Sequence, residues 1–241
     1  MLSSTRGEMK NKLTLELAQI AALITSDGHL QIKEWRYLTS FYSKDLDEIN
    51  RVKKLFKKVF DVEGRIYEDR SPGKKVITLN LRYKLFFISK STALFLKRVG
   101  VPKGNKTNTP FQVPGWIING SNEIKSAYLR SLFDCEGSIF FTKQYKNYVR
   151  WRISLTFCKN KDLLDDGLRF LSQIRSLLNN FYIKASPIRY WNLNIRKDGS
   201  QSVEMRFEIE KSSFGNFYKY IGFNTPNKQI KLLSALAGER P

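Results

Sequence analysis

The chain is poor in the side chains that build most metal and nucleophilic sites. Its 241 residues include one histidine, His29, and two cysteines, Cys135 and Cys158. A zinc site of three or four Cys and His ligands would therefore need several carboxylates as substitutes. A Ser-His-Asp triad would depend on His29, the single imidazole in the chain. These shortages disfavour zinc fingers, histidine-metal nucleases and serine hydrolases.

Long apolar runs and a disulfide framework are also missing. Both cysteines lie within apolar patterns rather than at spaced loop positions, which is typical of a reducing compartment. Residues 1–12 are polar and lack the apolar core of a signal peptide, and no stretch reaches the roughly 20 apolar residues that cross a bilayer. We expect a soluble, intracellular protein, in either the cytoplasm or an organelle matrix.

Acidic residues are scarce relative to basic ones. The chain has 42 Lys and Arg against 22 Asp and Glu, a formal charge of +20, on an ordinary background of 41% hydrophobic residues. A core can therefore form, and a surface this basic indicates a polyanionic partner. Nucleic acid fits better than a membrane, because the basic residues are interleaved with aromatic residues of predicted strands rather than clustered on one amphipathic helix.

Three segments of the first half recur, in the same order, in the second half. The matched pairs are 20–28 (IAALITSDG) with 129–137 (LRSLFDCEG), 38–45 (LTSFYSKD) with 155–162 (LTFCKNKD), and 97–106 (KRVGVPKGNK) with 219–228 (KYIGFNTPNK). The offset between partners grows from 109 to 117 to 122 residues. This pattern predicts an internal duplication, with a first repeat over 1–112, a linker over 113–122 and a second repeat over 123–241.

Each half has the hydrophobic pattern of a helix, two strands, a helix, two strands and a helix. The opening helices are predicted to end at Gly28 and Gly137, with Asn122 as the N-cap of the second one. The middle helices begin at Asp45 and Asp162, where an acidic first turn suits the helix dipole. The predicted fold class is α+β.

Small residues recur every four positions along both opening helices. They are Ala18, Ala22 and Ser26 in the first helix, and Ala127, Ser131 and Cys135 in the second. Such a stripe lets two helix backbones approach closely, and the natural partner of each helix is its own duplicate. If the two helices cross along the stripes, their ends bring Asp27 and Glu136 together about a pseudo-twofold axis.

This arrangement of carboxylates is unfavourable by itself. Each acid would lie at the negative end of a helix dipole and beside a like charge. A hard divalent cation such as Mg²⁺ would offset both effects and would also recruit phosphate oxygens of a substrate. The alternative is that Asp27 and Glu136 only end their helices in solvent.

The segments that end in these acids resemble the two copies of the LAGLIDADG motif of single-chain homing endonucleases. Residues 113–117 (VPGWI) are similar to the approach to the second motif, and the resemblance covers nearly the whole chain after about residue 10. It implies two pseudo-twofold-related αββαββα repeats, each with an antiparallel sheet, that form a saddle over the DNA major groove. Thr25 and Ala22 depart from the family pattern, which often has Asp and Gly there, but the acidic position is kept.

The resemblance also implies the roles of individual residues. Asp27 and Glu136 are expected to bind Mg²⁺, with Gly28 and Gly137 contributing through their backbone near the site. Mn²⁺ is expected to substitute for Mg²⁺, and Ca²⁺ to bind without supporting efficient cleavage. Basic residues around the metal would stabilise developing phosphate charge, and the repeated candidates are Lys44, Lys161, Lys106 and Lys228.

The predicted strands carry side chains of the types that read base edges. Gln31, Lys33, Trp35 and Tyr37 share one sequence parity, whereas Leu30, Ile32 and Leu38 are expected near the other face. The candidate DNA contacts are Gln31, Lys33, Trp35, Tyr37, Arg65, Tyr67, Arg70, Lys74, Lys75, Asn80 and Arg82 in the first half, and Lys143, Tyr145, Tyr148, Arg150, Arg152, Arg189, Trp191, Asn192, Asn194 and Arg196 in the second.

The function implied by the resemblance is site-specific cleavage of double-stranded DNA. A monomer with two diverged halves can read a long, asymmetric target, and the family cuts both strands across the minor groove to leave short 3′ overhangs. Two alternatives stay open: an RNA maturase that assists intron splicing, with intron RNA as its partner, and a cleavage-dead DNA-binding regulator. The target sequence, the intron or intein origin and the number of metals are also open.

Overall fold

The computed structural model describes residues 14–72, 79–144, 148–195 and 199–238. The chain divides after Asn105 into two compact units. Residues 106–112, which the sequence analysis placed in the first repeat, belong to the second unit and hydrogen-bond to it.

The first unit follows the order helix, two strands, helix, two strands, helix. Its elements are α1 (Leu15–Thr25), β1 (Gly28–Lys33), β2 (Arg36–Ser43), α2 (Leu46–Phe60), β3 (Arg65–Pro72), β4 (Leu79–Ile88) and α3 (Lys90–Arg98).

The second unit repeats this order with additional short helical turns. Its elements are a 3₁₀ turn (Lys106–Asn108), α4 (Gly115–Ile118), α5 (Asn122–Cys135), β5 (Gly137–Gln144), β6 (Tyr148–Asn160), a 3₁₀ turn (Lys161–Leu163), α6 (Leu164–Asn179), β7 (Arg189–Ile195), β8 (Gln201–Ile209), a 3₁₀ turn (Lys211–Ser213), α7 (Phe214–Asn216), a π-helical turn (Phe217–Ile221) and α8 (Pro226–Ala237).

Each unit contains a four-stranded antiparallel sheet with the same topology. The strand orders are β1-β2-β4-β3 in the first unit and β5-β6-β8-β7 in the second, and every neighbouring pair is antiparallel. The predicted α+β class with two repeats is therefore confirmed.

Helix α2 shows how local sequence sets the helix ends. The Asp45 side chain accepts a hydrogen bond from the Asp47 amide at 2.9 Å, and the last turn carries Lys57 and Lys58, so that both ends suit the helix dipole. One apolar stripe faces the core, where the rings of Phe56 and Phe87 stack with centroids 4.1 Å apart. The predicted helix start at Asp45 is confirmed as its N-cap.

Three predicted details differ from the structure. The middle helix of the second repeat, α6, begins at Leu164 and not at Asp162, which lies in the 3₁₀ turn before it. The N-cap of α5 is Ser121, whose hydroxyl accepts from the Ile124 amide, and Asn122 is the first helical residue. The third helix of the second repeat is not one regular helix: it is broken into α7 and the π-helical turn before α8 begins at Pro226. Among the described residues, no helix is long and apolar enough to cross a membrane.

A buried ion pair attaches residues 109–113 to the second unit. The Lys159 ammonium is fully buried, 2.8 Å from the Asp166 carboxylate and 2.6 Å from the Thr109 carbonyl oxygen, and it lies 3.8 Å from the centroid of the Phe111 ring. Asp166 also accepts from the Phe111 amide at 3.2 Å and from Gln112 Nε2 at 2.7 Å. The connecting segment is thus part of the second hydrophobic core.

The surroundings of this pair act on both pKa values. Burial lowers the pKa of Lys159, and its ion pair with Asp166 offsets only part of that effect. Burial also acts to raise the pKa of Asp166, but the hydrogen bonds from Lys159, Phe111 and Gln112 outweigh it and hold that pKa below its ordinary value. The carboxylate therefore stays ionised in the folded protein.

Replacing Asp166 by Asn should strongly destabilise the protein, because a buried ammonium loses its counter-charge. We expect the free energy of unfolding in urea at pH 7 to fall by about 3–5 kcal/mol. Asp165→Asn, an exposed neighbour in the same first turn of α6, should cost less than about 1 kcal/mol. Equal losses in the two variants would contradict the described pair.

The difference between wild type and Asp166→Asn should also depend on pH. Because the folded-state pKa of Asp166 is lowered, its contribution is complete above the ordinary Asp pKa and is lost as the pH falls through the lowered value. The unfolding free energies of the two proteins should therefore converge under acid.

Candidate active site

The two predicted metal-binding acids occupy the same place in their own units. Asp27 follows α1 in an exposed turn, and its carbonyl oxygen accepts from the Tyr42 amide at 3.2 Å. Glu136 ends α5 and is half-buried, and its carbonyl oxygen accepts from the Thr156 amide at 3.4 Å. In both units the peptide of the acid is thus held between the end of a helix and the second strand.

A glycine follows each acid because the first strand starts against the helix that precedes it. A Cβ at Gly28 would lie 2.5 Å from Ile24 Cα, and one at Gly137 would lie 2.9 Å from Phe133 Cα. These neighbours are backbone atoms of α1 and α5, so they cannot move aside as a flexible side chain would. The close approach fixes where Asp27 and Glu136 leave their helices.

The Lys228 ammonium lies against the helix end that carries Glu136. Its Nζ donates to three backbone carbonyl oxygens, at 2.5 Å to Asp134, 2.7 Å to Gly137 and 3.3 Å to Phe133. A cation at this point offsets the negative end of the helix dipole. Lys228 was predicted to follow the last helix of its repeat, and the structure places it in the first turn of α8.

Asp134, two residues before Glu136, was missed as a functional residue. Its buried carboxylate accepts from the Asn224 amide at 2.8 Å, Asn224 Nδ2 at 2.8 Å, the Thr225 amide at 3.1 Å and Thr225 Oγ1 at 3.3 Å. These four bonds attach the loop before α8 to the end of α5. The available signal was that Thr25 occupies the equivalent motif position in the first half.

The candidate lysines at the ends of the second strands do not occupy equivalent positions. Lys44 immediately precedes Asp45, the N-cap of α2, whereas Lys161 follows Asn160, whose side chain caps the next turn by accepting from the Asp162 amide at 3.1 Å. The residue that precedes the capping residue is Lys44 in the first unit and the buried Lys159 in the second. Lys44 and Lys161 are both exposed.

The remaining predicted lysine, Lys106, begins the 3₁₀ turn of the second unit and is half-buried. The loop before it belongs to the first unit, where the Gly104 amide donates to the Leu30 carbonyl oxygen at 2.8 Å.

The acids at the ends of α1 and α5 would bind a cation through their oxygen atoms. Among the described residues no group of three or more His, Cys, Asp and Glu side chains lies close enough to hold a metal. Mg²⁺ binds through one or two carboxylates, with waters and substrate phosphate oxygens completing its shell. Asp27 and Glu136 each have the donor chemistry of a Mg²⁺ ligand.

The first sheet has one face toward its core and one open face. Cross-strand partners share a face, and the partners here are Gln31 with Leu38, Lys33 with Arg36, and Ile32 with Tyr37. The predicted parity is therefore wrong for Tyr37, which lies on the core side, and for Leu38, which lies on the open face. The turn at Glu34 and Trp35 interrupts the alternation, and Trp35 is 83% exposed there.

The other two strands add basic and aromatic residues to the open face of the first sheet. Arg65 pairs with Phe86 and Tyr67 pairs with Lys84, and Lys84 Nζ lies 5.6 Å from the centroid of the Tyr42 ring. Arg82 is exposed on β4. Arg36 and Lys84 were missed as candidates. Only the backbone is described for Arg70 and Asn80, and Lys74 and Lys75 lie outside the described residues.

The open face of the second sheet is partly neutralised by its own acids. Glu208 Oε1 lies 3.1 Å from Arg152 and 3.4 Å from Arg206. The strand register shifts between Tyr190 and Asn192, and the Trp191 ring between them lies over the Arg206 guanidinium, whose Cζ is 4.9 Å from the ring centroid. Arg206 and Glu208 were missed as candidates, although they alternate with the buried residues of β8.

The other predicted contacts of the second half are distributed as follows. The side chains of Arg150, Arg189, Asn192 and Asn194 are on the same face as Arg152, by their pairing with Thr142, Arg206, Glu204 and Ser202. Only the backbone is described for Lys143 and Tyr148, and Tyr145 and Arg196 lie outside the described residues.

Gly137→Ala should destabilise the protein, because the new Cβ would press on the backbone of α5. We expect a loss of about 1–3 kcal/mol in the free energy of unfolding, measured by denaturant titration. Gly215→Ala is the control, because no atom beyond its chain neighbours and its own helix backbone lies within 4 Å of its Cβ position, and it should not destabilise. A neutral Gly137→Ala would contradict the close approach.

Comparison with protein families gives one model that covers most of the chain. The model, described as a LAGLIDADG-like domain, matches residues 14–100 and 123–222. Each matched stretch contains one of the two acids at the end of its first helix.

Relatives with quite different names contain a similar segment. They include the tRNA-splicing ligase RtcB of Pyrococcus abyssi (27% identical over 230 residues, 92% of this chain and 23% of the ligase). In Methanocaldococcus jannaschii they include the replication factor C small subunit (30% over 214 residues, 85% and 10%) and the DNA-directed RNA polymerase subunit Rpo1N (27% over 225 residues, 90% and 16%). The chain spans less than a quarter of the length of these relatives.

Solved structures share the fold at low sequence identity. The homing endonuclease I-WcaI bound to its DNA recognition sequence has a TM-score of 0.54 at 16% identity, covering 90% of this chain and 85% of that one. Mesophilic variants of the homing endonuclease I-DmoI give 0.51 at 18%, covering 95% and 98%. Full-length DUF199/WhiA from Thermatoga maritima gives 0.51 at 14%, covering 94% and 61%.

Proposed function

Since the chain belongs to the LAGLIDADG-like domain family, we propose that it is a site-specific endonuclease that makes a double-strand break in DNA by Mg²⁺-dependent hydrolysis. The target is long and asymmetric, and the products carry short 3′ overhangs. The observation that carries the proposal is the position of Asp27 and Glu136, each at the end of the first helix of its repeat and held to the second strand through its own carbonyl oxygen.

The two acids supply the carboxylate oxygens of the metal site in this proposal. The chemistry that Mg²⁺ supplies when bound is neutralisation of phosphate charge and activation of water. The carboxylates would hold the cation and share it with the scissile phosphate.

The lysines act on the charge that develops at phosphorus. Lys228 brings a positive charge to the helix end beside Glu136 through its three carbonyl contacts. Lys106 is its counterpart in the recurring segment 97–106, although the structure places Lys106 at the start of the second unit. Lys44 and Lys161 are exposed at strand and turn ends, where they would bind phosphate oxygens near the site.

The open faces of the two sheets are the proposed DNA-binding surface. Basic and amide side chains line them, and aromatic rings lie among the cations, as major-groove reading and phosphate contact require. In this proposal a monomer reads both half-sites, because its two repeats present different side chains at matching strand positions.

The relatives support a homing role. A similar segment of more than 200 residues occurs in a ligase, a replication protein and a transcription protein, and in each it makes up less than a quarter of the length. Segments shared by otherwise unrelated hosts are expected of mobile insertions. We infer that the endonuclease cuts unoccupied sites, and that repair of the break by the cell copies its coding segment into them.

Asp27→Asn and Glu136→Gln should each reduce plasmid cleavage in Mg²⁺ by at least about a hundredfold, because each removes a carboxylate from the metal site. Binding to the same DNA in Ca²⁺ should be kept, as measured by gel shift. Glu210→Gln, an exposed acid outside the site, is the matched control and should cleave normally. A double variant at Asp27 and Glu136 that still cuts would exclude the proposal.

Affinity for DNA should fall steeply with salt. If about ten of the basic side chains contact phosphates, the slope of log K against log salt concentration should be near −9. The measurement is a binding titration from low to physiological salt in Ca²⁺. A slope of only −2 or so would be incompatible with two sheets on one duplex.

Selection from a randomised DNA library tests the function as a whole. Cleaved molecules are recovered in Mg²⁺, and bound but uncleaved molecules are recovered in Ca²⁺. We expect one asymmetric consensus in both pools. A consensus in the bound pool alone would favour a DNA-binding regulator, whereas preference for intron RNA over duplex DNA would favour a maturase.

A further inference from the structure

The open face of the first sheet carries a cluster of apolar side chains at the end of β4. Leu38 of β2 pairs with Ile88 of β4, and Phe86 lies on the same face two residues before Ile88. Ile88 is 73% exposed, and the other two are half-buried. These three residues, the apolar cluster, line a cleft of about 540 Å³ whose walls also include the cations Arg36 and Lys84.

The second sheet shows that the fold does not require apolar side chains at these positions. The glycine that starts the first strand pairs with Phe41 in the first unit and with Leu155 in the second, which gives a common reference for the strand positions. Counted from these pairs along the second and fourth strands, the positions of the apolar cluster are occupied in the second unit by Arg152, Glu208 and Glu210.

The first two of these charged residues form an ion pair, with Arg152 Nη1 3.1 Å from Glu208 Oε1. The same backbone therefore accepts charged side chains where the first unit has leucine and phenylalanine. Packing within the sheet does not explain the apolar cluster, and contact with another molecule does.

The chemistry of the DNA major groove limits what the apolar cluster can contact. Base edges there present hydrogen-bond donors and acceptors, and the apolar group among them is the C5-methyl of thymine. An apolar side chain over a polar edge would remove water without replacing its hydrogen bonds. Arg36 and Lys84 beside the cluster have the charge to bind phosphates of the same duplex.

We infer that Leu38, Phe86 and Ile88 are specificity-determining residues, which read thymine methyl groups in the half-site bound by the first unit. This inference rests on the DNA-binding part of the proposed function and does not require cleavage. The half-site bound by the second unit should have no matching requirement, because charged residues replace the cluster there.

The first test compares the DNA sequences that wild type and Leu38→Ala/Ile88→Ala recover from a randomised duplex library in Ca²⁺. Wild type should prefer thymine at neighbouring positions of one half-site, and the double variant should lose that preference and keep the rest of the consensus. Ile230→Ala is the matched control, because Ile230 is an isoleucine of similar exposure, 60%, on α8 outside both sheets.

The second test removes only the methyl group. Deoxyuridine in place of thymine keeps every hydrogen-bonding group of the base. At the thymines selected by the cluster, the Kd of wild type in Ca²⁺ should rise about fourfold for each methyl removed. The Kd of the double variant should not change. Deoxyuridine at thymines of the other half-site should leave both Kd values unchanged.

Thermal unfolding of each variant identifies any folding defect. If the change at the half-buried Leu38 destabilises the protein, Ile88→Ala alone serves for both tests, because most of the Ile88 side chain is already exposed to solvent. Its expected effect is the same loss of thymine preference, confined to fewer positions.

The outcomes separate this inference from the proposed function. An unchanged consensus in the folded variant, or a deoxyuridine effect that is absent in wild type or equal in wild type and variant, would overturn thymine reading alone. Selective DNA binding without cleavage in Mg²⁺ would reject the endonuclease function and leave thymine reading intact. Recovery of no consensus at all in Ca²⁺ would reject both.

Discussion

The backbone at Gly28 and Gly137 runs so close to the preceding helix that a hydrogen atom is the largest side chain that fits. A Cβ there would meet main-chain atoms of Ile24 or Phe133 at 2.4–2.9 Å. The backbone of the acid that precedes each glycine is also fixed, because its carbonyl oxygen accepts a hydrogen bond from the second strand. The backbone position of both acids therefore depends on this contact, which couples the proposed metal-binding residues to the hydrophobic packing of the helices that precede them.

The duplication made the architecture predictable, because a repeated order of helices and strands limits the topology more strongly than any one hydrophobic pattern. Strand faces were less predictable. The two-residue turn at Glu34 and Trp35 reversed the expected parity of Tyr37 and Leu38, and alternation counted through a turn carries no information about register. Lys159 shows the same limit from the other side, because it continues the core-facing alternation of Phe157 although a lysine is ordinarily a surface residue.

The acidic pair could be proposed from sequence because small residues, acid and glycine recur together at one offset. The network around Lys228 could not be proposed from the sequence. It depends on the acceptor Asp134 and on the donors Asn224 and Thr225, which lie about 90 residues further along the chain. The departure of Thr25 from its partner Asp134 was visible, but its meaning required the position of Asn224. Differences between repeats are thus as informative as their similarities once contacts are known.

The attachment of residues 109–113 has a consequence for exchanging halves between related chains. Phe111, Gln112 and Val113 bond to Asp166 and Gln173 of α6, so the connecting segment has been fitted to the second repeat. A chimera joined within 113–122 would bring foreign partners to that buried carboxylate. A junction before Lys106 would keep the segment with its own repeat, and the natural unit of recombination is therefore longer than the matched motifs suggest.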